Sequence, residues 1–482
     1  MTWSLGAGLP SSLSLSSDGT ISGTPTVPGG GCFEAYATDS STPPQSSAQG
    51  LCIGINQPDT SHDALLTGHY AFLTDRLSHN GLKAPIAIVT AGSFVADGAG
   101  NVTGVSDTGG SGVGVAAQPF TGTYALGADN RGTLSISSST EILRTYAFSV
   151  GSMSASGVAT KGRMISFTAG PAITNAGGEF ELQDPLAFSN SAVSGSYAFE
   201  FGRQIGVFTA DGNGSINTGN ADQPLTGAYN IAANSIDGRG TGTLNIAGTT
   251  VDFAFYVVSA SKLLMVSTDP VTNIFASAYT GHALKQSGGP FNSSSLSGTS
   301  IFRTEELTAG LETFDGRGTV TVLRDRDASG AVTLGSTTNY CYSVSSNGRV
   351  TVTAAGTPVS VLYLVSAGTG FIQNADGSTG FFEPQSAGPF TETSIDGNVF
   401  FSNSVSSGVA TLKAGAFNLT SDLNEGGTLI FGQSSQDTYV VAANGRATTG
   451  SGNHVIYIIS PTKFVMVDVN PTNTPDITVA EQ

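Results

Sequence analysis

The stretch GVFTADGNGSINTG, residues 206–219, sets one acid, two amides and four glycines around Asp211, Gly212, Asn213 and Gly214. Such a run can wrap a calcium ion, cradle a phosphate, or turn a chain between two strands. A calcium loop of the EF-hand kind needs side-chain oxygens at positions one, three and five, glycine at six and glutamate at twelve. Counted from Asp211, position six is Ile216 and position twelve is Asp222, so the loop does not close on a cation. A phosphate loop needs GxxxxGK[ST] ahead of a helix, and no helical pattern follows. A β-hairpin is left. Asp-Gly and Asn-Gly suit the positive φ of the type I′ turns that join twisted strands. The pair recurs at Asp97-Gly98, Asp237-Gly238, Asp315-Gly316, Asn347-Gly348 and Asn444-Gly445, each time between β-like segments.

Working outward, these hairpins mark a repeat of roughly 90 to 120 residues. Four units run over 66–183, 193–286, 296–385 and 395–482. They open on LTGHYAFL, VSGSYAFEF, LSGTSIFR and IDGNVFFS, and close at Gln183, Gln286, Gln385 and Gln482. Short linkers, DPLAFSNSA, SGGPFNSSS and SAGPFTETS, join them. Each unit reads as about eight strands of four to eight residues. In VDFAFYV, Val251, Phe253 and Phe255 alternate with Asp252, Ala254 and Tyr256, so one face of the strand lines a core. Eight sequential antiparallel strands leave two edges, and closing the sheet removes them. The expectation is an all-β chain of four tandem, small, antiparallel eight-stranded β-barrels set in a row as a rod. In kind they are similar to avidin or lipocalin barrels, by strand count. Two-sheet β-sandwiches are the alternative.

Composition agrees with many short strands. Of the 482 residues, 39% are hydrophobic, only 11% are charged, and 64 are glycine, which starves long amphipathic helices of Glu, Lys and Arg. The net charge of −17 argues against nucleic acid and anionic lipid as partners. No apolar run approaches the roughly 20 residues that span a bilayer, so no membrane insertion is expected.

Residues 1–57 differ in style from the rest. Trp3-Ser4-Leu5, Leu9-Pro10, Leu13-Ser14-Leu15, Asp18-Gly19-Thr20-Ile21-Ser22-Gly23-Thr24-Pro25 and Ala37-Thr38-Asp39-Ser40, with alternation near Ile53 and Ile55, carry the pattern. It resembles the immunoglobulin-like, cadherin-like domain found in strings on bacterial surface proteins. The resemblance covers about a tenth of the chain. It implies a β-sandwich spacer and an extracellular or cell-surface setting. That domain has strands ahead of the Trp-Ser-Leu segment, so a truncated copy is expected here, its export signal lost with the missing part.

Few residues offer chemistry. Arg131, Arg239, Arg349 and Arg446 share one slot in the second turn of every unit, out of only 18 basic residues. Each either contacts an anion or carboxylate, or closes a barrel end by stacking on an aromatic and bonding loop carbonyls. In DRDASG, Asp325, Asp327 and Ser329 have calcium-loop spacing with Gly330 at position six, but Ser336 stands at twelve. Cys32 and Cys52 either pair across neighbouring strands, which implies an oxidising compartment, or stay as two buried thiols; Cys341 stays single. Histidines share no slot, no GxSxG elbow occurs, and the pair Glu179 and Glu181 lacks a counterpart in other units. No cofactor and no catalysis are expected. The functional expectation is a non-enzymatic surface protein for adhesion, presentation or binding, with a glycan or a cell-surface protein as partner. The alternative is that each barrel holds a small apolar ligand or glycan, which packed Phe, Tyr and Leu inside would forbid.

Overall fold

In the computed structural model, which describes all residues except 7–8, 10–11, 26, 76–88, 111–112, 139–143, 170–176, 270–277, 329 and 472–475, each repeat winds eight antiparallel strands into a closed barrel. The first barrel runs through Thr67–Asp75, Val89–Asp97, Asn101–Gly110, Val113–Leu126, Arg131–Ser137, Arg144–Met153, Ala159–Ser166 and Gly177–Leu182. The others repeat this order over 194–285, 297–384 and 397–481. The eighth strand closes on the first in every case: Phe180 faces Phe72, Ala283 faces Phe199, Phe382 faces Phe302, and Ala480 faces Phe401.

Closure at so small a radius rests on aromatic–glycine pairs. Phe72, Phe199, Phe302 and Phe401 in the first strands stand opposite Gly92, Gly206, Gly310 and Gly408 in the second. A Cβ on Gly92 would lie 2.3 Å from the Phe72 ring, so only glycine lets the ring lie down on the barrel wall. A short 3₁₀ turn precedes each first strand (Asp63–Leu65, Asn190–Ala192, Ser293–Ser295, Glu392–Ile395). A fourth-strand tyrosine pins it. The hydroxyls of Tyr124, Tyr229, Tyr342 and Tyr439 donate to the carbonyls of Leu66, Val193, Leu296 and Glu392 at 2.9, 2.7, 3.0 and 2.8 Å.

The opening stretch is a hairpin, with a correction to its turn. Three residues, 212–214, connect strands Gln204–Asp211 and Ser215–Asn220, and positive φ falls on Gly212 and Gly214 rather than on two central residues. Asp211 accepts the amides of Asn213 and Ser215 at 2.8 and 2.9 Å, which holds its carboxyl below the usual value. Asp97 and Asp315 do the same in the first and third barrels.

The expected rod is overturned. Strands one and two of each barrel pack on strands six and seven of the next, and those of the fourth pack on strands six and seven of the first. One junction type, used four times head to tail, closes the barrels into a ring with approximate four-fold repetition. Among the described residues eight apolar clusters follow from this: four barrel interiors and four junctions. The strand Thr249–Ser259 shows why. Phe253, Phe255 and Val257 fill the second barrel, while Ala254, Tyr256 and Val258 are buried with Leu73 and Ala91 of the first.

At the N-terminus, Thr2–Leu5, Gly29–Thr38 and Ser46–Ile55 form a small antiparallel sheet, and Leu13–Leu15 pairs with Ile21–Gly23. Thr168–Ala169 of the first barrel adds to Gly30 and Gly31 in parallel. Cys32 stands opposite Cys52 in register, and Cys52 is disulfide-bonded. Cys341 is free and exposed.

Candidate functional site

The four repeated arginines do not close their own barrels. Each opens a fifth strand and reaches a carboxylate of the neighbouring barrel. Arg239 Nε and Nη2 grip Asp107 at 2.7 Å each; Arg446 grips Asp325 at 2.7 and 3.0 Å. Arg349 Nε meets Asp222 at 2.6 Å, and Arg131 Nη1 meets Asp422 at 2.5 Å, which joins the fourth barrel to the first. Of the two functional readings, the carboxylate contact is the one seen, but its carboxylate belongs to the same chain. Only Arg131, among these four, stacks on an aromatic ring, that of Phe431 at 5.1 Å.

Sequence reading paired none of these aspartates with an arginine, and picked out Asp325 for calcium spacing instead. Asp107, Asp325 and Asp422 sit where the ladder between strands three and four slips by a bulge, which re-aims the carboxylate outward. Each accepts a backbone amide from a positive-φ residue across the bulge, Ala117, Gly335 or Gly432, at 2.9, 2.6 and 2.8 Å. A sixth-strand tyrosine completes two of these sites: Tyr256 donates to Asp107 at 2.6 Å, and Tyr457 donates to Asp325. Opposite Arg131 the ladder carries Ser149 instead, and Asp422 Oδ2 is buried without a partner. Burial raises the Asp422 carboxyl despite Arg131 beside it.

The calcium-spaced Asp325 is engaged within the fold. Its oxygens are taken by Arg446, Tyr457 and the Gly335 amide; Asp327 accepts the Gly330 amide at 2.7 Å; and Ser329 lies outside the described residues. Among the described residues no His, Cys, Asp and Glu cluster is arranged to hold a metal.

The closing glutamines also work between barrels. Gln183, Gln286 and Gln385 donate to the carbonyls of Val257, Leu364 and Ile458 of the next barrel at 2.6, 2.6 and 2.8 Å. Gln57, which sequence reading passed over in GINQPDT, does this for the first barrel through Ala125 and Arg131. The Gln482 side chain donates instead within its own barrel, to the Asp396 and Pro461 carbonyls, while its main-chain carbonyl accepts from the Ser152 hydroxyl of the first barrel at 2.8 Å.

Strands seven and eight of the barrels face a central cavity of about 840 Å³. Lys262 Nζ bridges Glu179 and Glu181 of the first barrel at 3.2 and 2.7 Å, and His282 Nε2 meets Glu179 at 2.9 Å. Lys463 meets Glu383 at 2.8 Å, with Arg303 at 3.5 Å. Lys161 meets Glu481 at 3.0 Å, and Arg163 binds it too. So Glu181 does have counterparts, Glu383 and Glu481. Burial alone would raise Glu481, but Arg163, Lys463 and Lys161 hold it down to about 2. Glu179 is likewise drawn well below its usual value, burial being outweighed by Lys262 and His282. Glu200 and Glu305 add further carboxylates, and partly exposed Phe381 adds an aromatic face. The wall alternates in sign, so it offers donors and acceptors side by side.

Barrel interiors answer the ligand question differently. In the first two, rings such as Tyr70, Phe94, Phe148 and Phe180, or Tyr197, Phe208, Phe253 and Phe255, are buried against one another. The idea of one apolar ligand per barrel does not survive there.

Fold and site together define an all-β ring of four barrels tied by repeated arginine–aspartate contacts. No family model matches the chain, and no curated protein matches it. Among solved structures, a double mutant of the vaccine antigen transferrin binding protein B from Haemophilus parasuis Hp5 is 9% identical, with 95% of this chain and 84% of that chain covered at a TM-score of 0.16. A Helicobacter pylori beta clamp is 9% identical, with 62% and 95% covered at 0.10. Likenesses of this size establish no common fold. Among the described residues no helix is long and apolar enough to cross a membrane.

Proposed function

We propose that the chain is a non-enzymatic binding protein of the bacterial cell surface or extracellular space, and that its central cavity takes a hydroxyl-rich, uncharged ligand of the glycan class. The observation that carries this reading is the mixed-sign wall contributed by all four barrels. Paired carboxylates and ammonium groups repel neither sign strongly and can accept from and donate to neighbouring hydroxyls. A cavity of about 840 Å³ falls in the range that encloses small ligands. The disulfide at Cys52 supports an oxidising compartment, and the N-terminal segment then serves as an immunoglobulin-like spacer.

A glycan array on the full chain tests this, followed by titration of any hit against Glu179→Gln and Lys262→Met. The expected result is binding that both variants weaken at least tenfold while small-angle scattering shows the ring intact. Binding that ignores both substitutions, or none on the array, would count against the cavity as a glycan site.

A further inference from the structure

The third barrel breaks the interior pattern. Three residues before the end of the second strand, the first two barrels place Phe94 and Phe208 inside, and the fourth places Ala410. The third places Glu312, which is 6% exposed, with Oε2 buried and without a partner. Glu312 lines a cavity of about 310 Å³ together with Phe302, Val322 and Ile372. Its mouth carries Glu306 and Arg326, paired at 2.7 Å, with Asp376 and exposed Arg324 beside them.

We propose that the interior of the third barrel binds a small primary alkylammonium ligand, with the Glu312 carboxylate as its anchor. Inside, beside Phe302, Val322 and Ile372, Glu312 is the single carboxylate; Glu306 and Asp376 stand at the mouth, where Arg326 pairs with Glu306, so Glu312 does not share a set of oxygen ligands of the kind a hard metal ion requires. It suits a charge-bearing N–H donor on an aliphatic stem, because a buried carboxylate is tolerated when paired and hydrogen-bonded. The cavity is at the lower end of the size range for small-molecule sites, which sets the ligand at a few carbon atoms.

Proton balance sharpens the test. Burial pushes the Glu312 carboxyl up to about 8, so the empty site holds a proton at neutral pH. An ammonium favours the carboxylate, and one proton leaves to solvent as the ion pair forms. The other titratable and charged groups facing the cavity are Glu306, Arg324, Arg326, Tyr340 and Asp376. Glu306, raised by burial, and Asp376 hydrogen-bond to each other at the mouth. Affinity therefore rises about tenfold per pH unit from about 6 to about 8 and then levels, until the amine itself loses its proton.

Titration calorimetry on the full chain uses n-butylamine, 1,4-diaminobutane and benzylamine, with n-butanol as the uncharged control. The expected result is millimolar or tighter binding of at least one amine, proton release at neutral pH, and at least a tenfold loss in Glu312→Gln together with the pH dependence. Glu312→Phe, which restores the filler of the first two barrels, abolishes binding. The proposal is overturned by equal binding of n-butanol, by affinity unchanged in Glu312→Gln, or by no heat from any of the three amines. A loss of glycan binding leaves this result untouched, because the two cavities share no wall residue.

Discussion

The four arginines look alike in sequence but sit in unlike surroundings. Asp107 beneath Arg239 has no exposed side-chain surface, whereas Asp222 beneath Arg349 is 47% exposed. Removing one partner of a buried pair strands the other charge, at a cost of about 3–5 kcal/mol, while an exposed pair is worth about 0–1 kcal/mol. Arg239→Ala is therefore expected to lower the urea midpoint far more than Arg349→Ala, and equal effects would refute the burial argument. Replacing both partners, Arg239→Met with Asp107→Leu, is expected to recover little of the loss, because the buried Tyr256 hydroxyl and the Ala117 amide then lose their acceptor. The arginine slot was legible because it recurs at a fixed place in each turn. Its aspartate was not, because it lies 132 positions away for Arg239 and 121 for Arg446, inside a bulge that no local pattern announces.

Strands and turns were read well where alternation is strict. VDFAFYV put Phe253 and Phe255 on one face, and they do fill the barrel. The reading assigned no partner to the other face, whose Ala254, Tyr256 and Val258 are buried at a junction. The available signal was the lack of polar residues in Ala254, Tyr256 and Val258, since a strand covered on both sides reads as a nearly continuous apolar run. Glycine was read as a turn residue, yet much of it serves inside strands. A Cβ on Gly240 would stand 2.2 Å from Phe255, so Gly240→Ala overpacks the wall and is expected to cost about 1–3 kcal/mol. Gly50 meets nothing within 4 Å and lies in an ordinary strand conformation. Gly50→Ala is expected to be neutral or stabilising by up to about 1 kcal/mol. Thermal unfolding of the two variants side by side checks the contrast.

At the scale of the whole molecule, the ring predicts a compact scattering profile with a single maximum in the distance distribution; a rod would give a long tail. Its polar hub predicts acid sensitivity. Glu481, at about 2, and Glu179, also lowered, bind fewer protons folded than unfolded between about 4.5 and 2. Stability is therefore complete above about 4.5 and falls as pH drops toward 2. Scattering and near-ultraviolet dichroism across that range should show the barrels separating or unfolding, and a ring unchanged at pH about 2 would contradict the assignment. Glu312 and Asp476 act in the opposite sense, since burial raises them to about 8 and about 6 and weakens the fold as pH rises past the unfolded value. Glu312→Gln is thus expected to stabilise the protein more at pH about 8 than at pH about 5.

Sequence alone determined the all-β class, the four repeats and the places of the hairpins, because each depends on short-range alternation and on turn residues whose backbone preferences are intrinsic; alternation left barrel and two-sheet sandwich both open, and the pairing of eighth strand with first decided for the barrel. Only the tertiary structure decided that the barrels close into a ring, that arginine in one repeat answers aspartate in another, and that a charged cavity lies at the centre. Those outcomes depend on which outer faces meet: an apolar outer face such as Ala254, Tyr256 and Val258 shows in its own strand, but nothing in that strand says which surface, more than a hundred residues away, it will cover.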